Sequence, residues 1–149
     1  MTTAAPGSTC SLAGVLAGDT ASVTCTGTAA FADKNVATGK TVTMTGITLA
    51  GTASGNYSLS NPTDTDTADI TARSLTVTAT GVNKVYDGTN TATVTLASNK
   101  LAADTVLAGY TGATFADKNV QNGKTVSVTG IAISGADAGN YTLANTTET

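Results

Sequence analysis

The chain contains one long passage twice. Residues 31–63, FADKNVATGKTVTMTGITLAGTASGNYSLSNPT, recur 84 positions later as FADKNVQNGKTVSVTGIAISGADAGNYTLANTT, without a gap and with 20 of 33 positions identical. Upstream the match continues after a one-residue step, with LAGDT from Leu16 answering LAADT from Leu101. A period of this length exceeds a solenoid rung and suits a small globular domain in tandem. The duplication is cut unevenly. Residues 74–90, SLTVTATGVNKVYDGTN, have no counterpart in the first copy, and residues 66–71, DTADIT, have none in the second. The expected division is therefore residues 1–72, a repeat lacking its first strand, and 73–149, a repeat lacking its last. A Gly-free linker over residues 62–73 is expected to join them.

The local pattern has period two. Leu75, Val77 and Ala79 alternate with Thr76, Thr78 and Thr80, and Ala92, Val94 and Leu96 alternate with Thr and Ala. Such strands fit sheets buried on one face, with β-branched, hydroxylated Thr on the wet side. No apolar stripe with helical spacing is sustained. In KTVSVTGIAIS the apolar face jumps by three, from Val128 to Ile131 across Gly130, as it does from Met44 to Ile47 across Gly46. A β-bulge at each glycine would restore the facing. Strands are expected at about 74–86, 91–97, 105–115, 124–134 and 139–144, with a last one equivalent to 66–72.

The best fold clue is GADAGNYTL. Its spacing of Asp137, Gly139 and Tyr141 resembles the tyrosine corner of immunoglobulin-like sandwiches, where a Tyr hydroxyl bonds back to the backbone. The first copy has Tyr57 there without the Asp. The expectation is all-β: tandem immunoglobulin-like antiparallel β-sandwich modules, with β-grasp-like modules as the alternative.

Composition mainly excludes. There are 33 Thr, no His and no Trp, and the net charge is −3. Without His the commonest general base and metal ligand are missing, and no enzyme activity is expected. An excess of carboxylates without a basic cluster argues against nucleic acid as a partner. No apolar run approaches the roughly 20 residues that span a bilayer, so membrane insertion is not expected. The opening MTTAAPGSTC has neither a basic start nor an apolar core and reads as no signal peptide.

KVYDGTNTATV, followed by ATFADKNV, GKTVSVTG and GNYTL, together with TADITAR between the copies, resembles the YDG-type repeats of large bacterial surface adhesins, including filamentous-haemagglutinin-like proteins. The resemblance implies secretion, tandem arrays and a stalk or spacer role at the cell surface. It brings no catalytic residues. Partners would be neighbouring repeats, copies of the chain or a host-surface ligand. A strand from a neighbouring subunit would fill the groove of the first repeat by donor-strand complementation. A glycan-binding module is the competing reading, weakened by the lack of Trp and by only four Tyr.

Individual residues are each open to a plainer and a sharper reading. Cys10 and Cys25 align near Val94 or Thr95 and near Tyr110, on strands that would be neighbours. A disulfide there would be worth about 3 kcal/mol in an oxidising compartment. Tyr86, Asp87 and Gly88 carry the family name, and Asp-Gly is foremost a turn. Asp64, Asp66 and Asp69 form a Ca²⁺ candidate at the junction, against a default of solvated linker; no other cofactor is expected. Lys84 and Asn140 are the residue types that surface fibres join by an isopeptide bond, which needs an apolar pocket and a protonated carboxyl.

Overall fold

The structure, a computed structural model, describes residues 2–3 and 10–149, so most of the opening segment read above as no leader lies outside the described residues. The chain forms two compact units, Met1–Thr71 and Ala72–Thr149. Every regular element among the described residues is a strand or a three-residue 3-10 turn, so the fold is all-β. No helix among them is long and apolar enough to cross a membrane.

The first unit is one antiparallel sheet of β1 (Thr2–Thr3), β2 (Thr24–Phe31), β3 (Ala37–Ala50) and β4 (Asp64–Ile70), in that order. The pairing of β2 with β3 steps from Thr26↔Thr48 to Thr28↔Thr45, so Gly46 and Ile47 face Gly27 alone. Gly46 has φ +63°. This is the bulge that the three-residue jump predicts; across Gly130 the register keeps step from Thr129↔Gly112 to Ala132↔Gly109, so the bulge expected there does not form, one added residue before Ala113 taking up the difference. β4 corrects the linker reading of residues 62–73: it is an edge strand, with Val42↔Asp66 and Lys40↔Ala68 on β3. Its Asp/Thr composition reflects exposure along nearly its whole length, since only Ile70 is even half-buried.

The second unit contains β5 (Arg73–Leu75), β6 (Val77–Gly81), β7 (Val94–Ser98), β8 (Leu107–Gly109), β9 (Gly112–Phe115), β10 (Val126–Thr129), β11 (Ala132–Ser134), β12 (Tyr141–Leu143) and β13 (Thr147–Glu148). Antiparallel pairs join β6 to β7, β8 to β11, and β9 to β10 to β13; β5 pairs with β12 in parallel. The expected single strand over 74–86 is divided at Thr76. Asn99 Oδ1 accepts the Thr76 N–H at 2.9 Å. The Asn145 amide then accepts from Val77 N at 3.0 Å and donates to Val77 O at 2.8 Å. These side chains satisfy the backbone while the strand changes partner from β12 to β7. Beyond Gly81 the chain leaves the sheet as a loop.

Burial follows the alternation. Leu75, Val77, Ala92 and Val94 join Val106, Ala113, Val128, Ile131 and Tyr141 in the core of the second unit, while Thr76, Thr78 and Thr80 are exposed. Fully burying a side chain such as Leu75 or Val77 contributes about 1.5–3 kcal/mol. The first unit buries only Val23, Ala29 and Ile47 among its described apolar residues. Met44, in the place of the fully buried Val128, is half-buried.

Candidate functional site

Two loops of the second unit face each other across a cleft of about 660 Å³. One wall is the loop after β6, which holds Tyr86-Asp87-Gly88. Asp87 Oδ1 accepts the Thr89 N–H and hydroxyl, each at 2.9 Å, and Gly88 takes φ +81°. The turn is closed by Lys84, whose Nζ donates to Asp87 Oδ1 at 2.9 Å, Thr89 O and Oγ1 at 3.0 Å and Thr91 O at 2.8 Å. The same ammonium lies 6.0 Å from the centre of the Phe115 ring. The Lys84 hydrogen bond, reinforced by those from Thr89, lowers the Asp87 pKa to about 2. Asp87 and Gly88 thus build the turn, as expected, while Tyr86 stands 57% exposed in the cleft. The bonds of Lys84 are local to this turn, and Asn140 belongs to the 3-10 turn before Tyr141.

The opposite wall is the loop from Phe115 to Val126. Lys124 Nζ pairs with the Asp117 carboxylate and donates to Asp117 O at 3.0 Å and Asn119 O at 2.8 Å. Asp117 Oδ1 also accepts the Asn119 N–H at 2.7 Å. The first unit repeats the device with Lys40, Asp33 and Asn35. In both units the lysine, then the backbone N–H, holds the carboxylate below its ordinary range. The spacing FADKN…GK contains these residues in both copies; it was visible as repetition and carried no role.

The tyrosines lock a second turn. Tyr141 Oη donates to Asp104 Oδ2 at 2.7 Å and accepts the Leu101 N–H at 3.0 Å. Tyr57 does the same with Asp19, at 2.8 Å, and Leu16, at 3.2 Å. Burial, then Asp104, raises the Tyr141 pKa; for Tyr57 the Asp19 hydrogen bond leads. The bond back to the backbone matches the corner expectation, but the carboxylate partner comes from the Leu-x-x-Asp turn and not from Asp137. Asp137 instead clamps Thr105, accepting its N–H at 2.8 Å and donating its own N–H to Thr105 O at 3.2 Å.

Cys10 and Cys25 form a disulfide with Cα atoms 5.7 Å apart. The register pairs Cys25 with Leu49 as it pairs Ala108 with Ile133, so Ala108 is its structural counterpart in the second unit. The neighbourhood inferred for Tyr110 is nevertheless present, since its hydroxyl accepts the Val94 N–H at 3.4 Å.

Asp64, Asp66 and Asp69 lie on β4, whose alternation sends Asp69 to the face opposite the other two. Asp69 Oδ1 accepts the Gly39 N–H at 2.7 Å; Asp64 and Asp66 accept from the N–H groups of Thr65 and Thr67. No three His, Cys, Asp or Glu side chains converge among the described residues. The YDG-domain family model matches residues 1–67 and again 71–149. No curated protein and no solved structure matches the chain.

Proposed function

The chain belongs to the YDG-domain family, of which it carries two tandem copies, and from that premise we propose that it is a structural repeat module of an extracellular bacterial adhesin or fibre, acting as stalk and spacer. One observation carries the reading: the same all-β domain follows itself with only Thr71 and Ala72 between β4 and β5. A chain arranged in this way converts length into reach, and its ladders resist extension without any reactive group. Each unit follows the immunoglobulin-like sandwich pattern in this reading, the first presenting one sheet of it among its described residues, and the support is the tyrosine that bonds back to the Leu-x-x-Asp turn. The disulfide supports an oxidising, exported setting.

Head-to-tail assembly by donor-strand complementation belongs to the same proposal. In the second unit β5 and β6 lie on β12 and β7; the first unit has no strand at the corresponding place among its described residues. An open cavity of about 510 Å³ there is lined by Leu12, Val15 and Val23, beside the disulfide. A strand from a neighbouring copy fits this shortage.

Single-molecule stretching between handles at the two ends tests the stalk role. The expected record has two unfolding steps, the first unit's released length lengthening on reduction of Cys10–Cys25. Extension without discrete steps refutes the role. Light scattering over a concentration series tests assembly, and a monomer throughout removes donor-strand exchange while leaving the stalk reading in place.

A further inference from the structure

We propose that the outer edge of β4 is a self-pairing surface held shut by its own side chains: the Asp64 and Asp66 carboxylates occupy the outward amides of Thr65 and Thr67, and without them two copies of the chain pair there in antiparallel fashion. The inference does not depend on the stalk reading.

β4 closes the sheet of the first unit, and no strand lies beyond it among the described residues. The second unit has β5 and β6 and still holds β13 at the edge of its sheet, with Val128↔Glu148 in the place of Met44↔Asp64. The edge is therefore a property of the repeat and not of the strand that the first copy lacks. Main-chain groups alternate in direction along an antiparallel ladder, and the second unit fixes the phase. Phe115 N–H donates to Asn90 O at 2.8 Å and Ala92 N–H to Ala113 O at 2.9 Å, so the main chain of Ala113 and Phe115 points away from β10. Gly112 and Thr114 then face Thr129 and Ser127, which leaves Val128 facing Glu148. Carried to the first unit by Met44↔Asp64, the phase turns the main chain of Asp64 and Asp66 toward β3 and the amides of Thr65 and Thr67 outward.

Those two outward donors are the ones that side chains cover. Asp64 Oδ1 accepts the Thr65 N–H at 2.9 Å, and Asp66 Oδ1 accepts the Thr67 N–H at 2.7 Å. The Asp-Thr-Asp-Thr alternation thus has a local cause: each carboxylate seals the amide that follows it. Charge closes the edge further. Asp69 is turned to Gly39 on β3, and the single cation of β3, Lys40, is paired with Asp33, so β3 brings Asp64 and Asp66 no free positive charge. The occupant that matches this edge is the same edge of a second copy. Two copies related by a two-fold axis at Asp66 would set Thr65 against Thr67 of the other copy, and the four outward amides would bond to the facing carbonyls. The same register sets the two Asp66 carboxylates directly opposite, where like charges destabilise a pair. The surface is complementary in its main chain and repulsive in its side chains, which is how an edge is guarded against its own copies.

The test compares the whole chain with its Asp64→Ala/Asp66→Ala variant by sedimentation velocity over a concentration series at neutral pH and low salt, with hydrogen exchange locating the contact. The variant should dimerise at least about tenfold more tightly than the unaltered chain, with protection of the Thr65 and Thr67 amides that rises with concentration. Asp64→Asn/Asp66→Asn keeps an oxygen acceptor and loses only the charge. It should also gain affinity, by a smaller factor, and it decides the question if the alanine variant does not fold. Adding Thr67→Pro, which removes an outward donor and leaves the β3 ladder intact, should abolish the gain. Assembly through the cavity beside the disulfide would be common to all these chains, so its failure and the failure of this proposal are separable. Three results overturn the proposal: folded variants no more associated than the unaltered chain, a gain that survives Thr67→Pro, or protection that lies outside β4.

Discussion

Gly46 and Gly130 occupy the same place in the two repeats, with φ of +63° and +65°, yet alanine should be tolerated very differently there. A left-handed conformation costs an L-residue about 1–2 kcal/mol. Restricting the unfolded chain returns about 0.4–1 kcal/mol. At Gly46 nothing lies within 4 Å of an added Cβ, so Gly46→Ala should lose about 1 kcal/mol and no more. At Gly130 the new Cβ would stand 2.0 Å from Thr111 Oγ1 and 3.0 Å from Thr111 Cβ. Thr111 cannot simply swing away, because its N–H is bonded to Thr129 O at 3.1 Å and its Cβ is close to the glycine too. Overpacking of this kind adds about 1–3 kcal/mol, bringing Gly130→Ala to roughly 2–4 kcal/mol. For a unit of this size that is a fall of roughly 10–25 °C in the midpoint of the second unit, against about 5 °C in the first for Gly46→Ala. Calorimetry with unit-resolved hydrogen exchange reads both. Adding Thr111→Ala to Gly130→Ala should recover about 1 kcal/mol by removing the hydroxyl and methyl. Equal losses at the two glycines, or no recovery in the double variant, would refute the steric argument.

Reduction of Cys10–Cys25, or Cys25→Ser, should lower the stability of the first unit by about 3 kcal/mol and leave the second unchanged in the same hydrogen-exchange experiment. Asp87 gives a pH signature. Its folded pKa is depressed to about 2 from 3.8, so its stabilising contribution is complete above the unfolded value and is lost as pH falls from about 4 toward 2. Asp87→Asn should flatten the acid limb of urea midpoints for the second unit in that window; an unchanged slope contradicts the Lys84 turn. Tyr141→Phe should destabilise its unit more than Tyr57→Phe does the other, because the Asp104 side chain it leaves is buried while Asp19 is half-buried. Thermal midpoints of the two variants decide the order.

The buried half of the fold was legible because burial on one face forces alternation. Leu75, Val77, Ala92 and Val94 could be assigned to the core from period two alone, and the jump at Gly46 located a bulge. β4 was not legible: an edge strand wet on both faces has no apolar period to detect, so DTDTADI reads like a linker. The tyrosine was found from its local spacing, but its carboxylate lies 37 or 38 residues away, which local pattern cannot reach. Misplacing the counterpart of Cys25 has a similar origin. The glycines Gly51 and Gly135 close on Val23 and Val106 in turn, which makes those valines equivalent. The apparent one-residue step is therefore two residues added in the first copy after Asp19, offset by one added in the second before Ala113. Compensating insertions leave little trace in an alignment and are plain in a register. The turn that Lys84 closes through four acceptors was not legible, because in sequence this lysine stands out only as a candidate for an isopeptide bond.

The disulfide then has a physical reason to sit in the first copy and not the second. By the Leu16–Leu101 match Cys10 stands where β7 begins, and Cys25 stands where β8 has Ala108. In the second unit β7 is retained by a full ladder on β6, from Val77↔Ser98 to Gly81↔Val94. The first unit has no such ladder among its described residues, and the residues after Cys10 have no strand partner. A segment without ladder bonds frays unless something else restricts it. A covalent link to β2 restricts it without requiring a partner strand, and its chain-entropy contribution of about 3 kcal/mol is comparable with the net worth of a few ladder hydrogen bonds. The same logic says what the first repeat puts in place of the strand over 77–81: a covalent bond to β2.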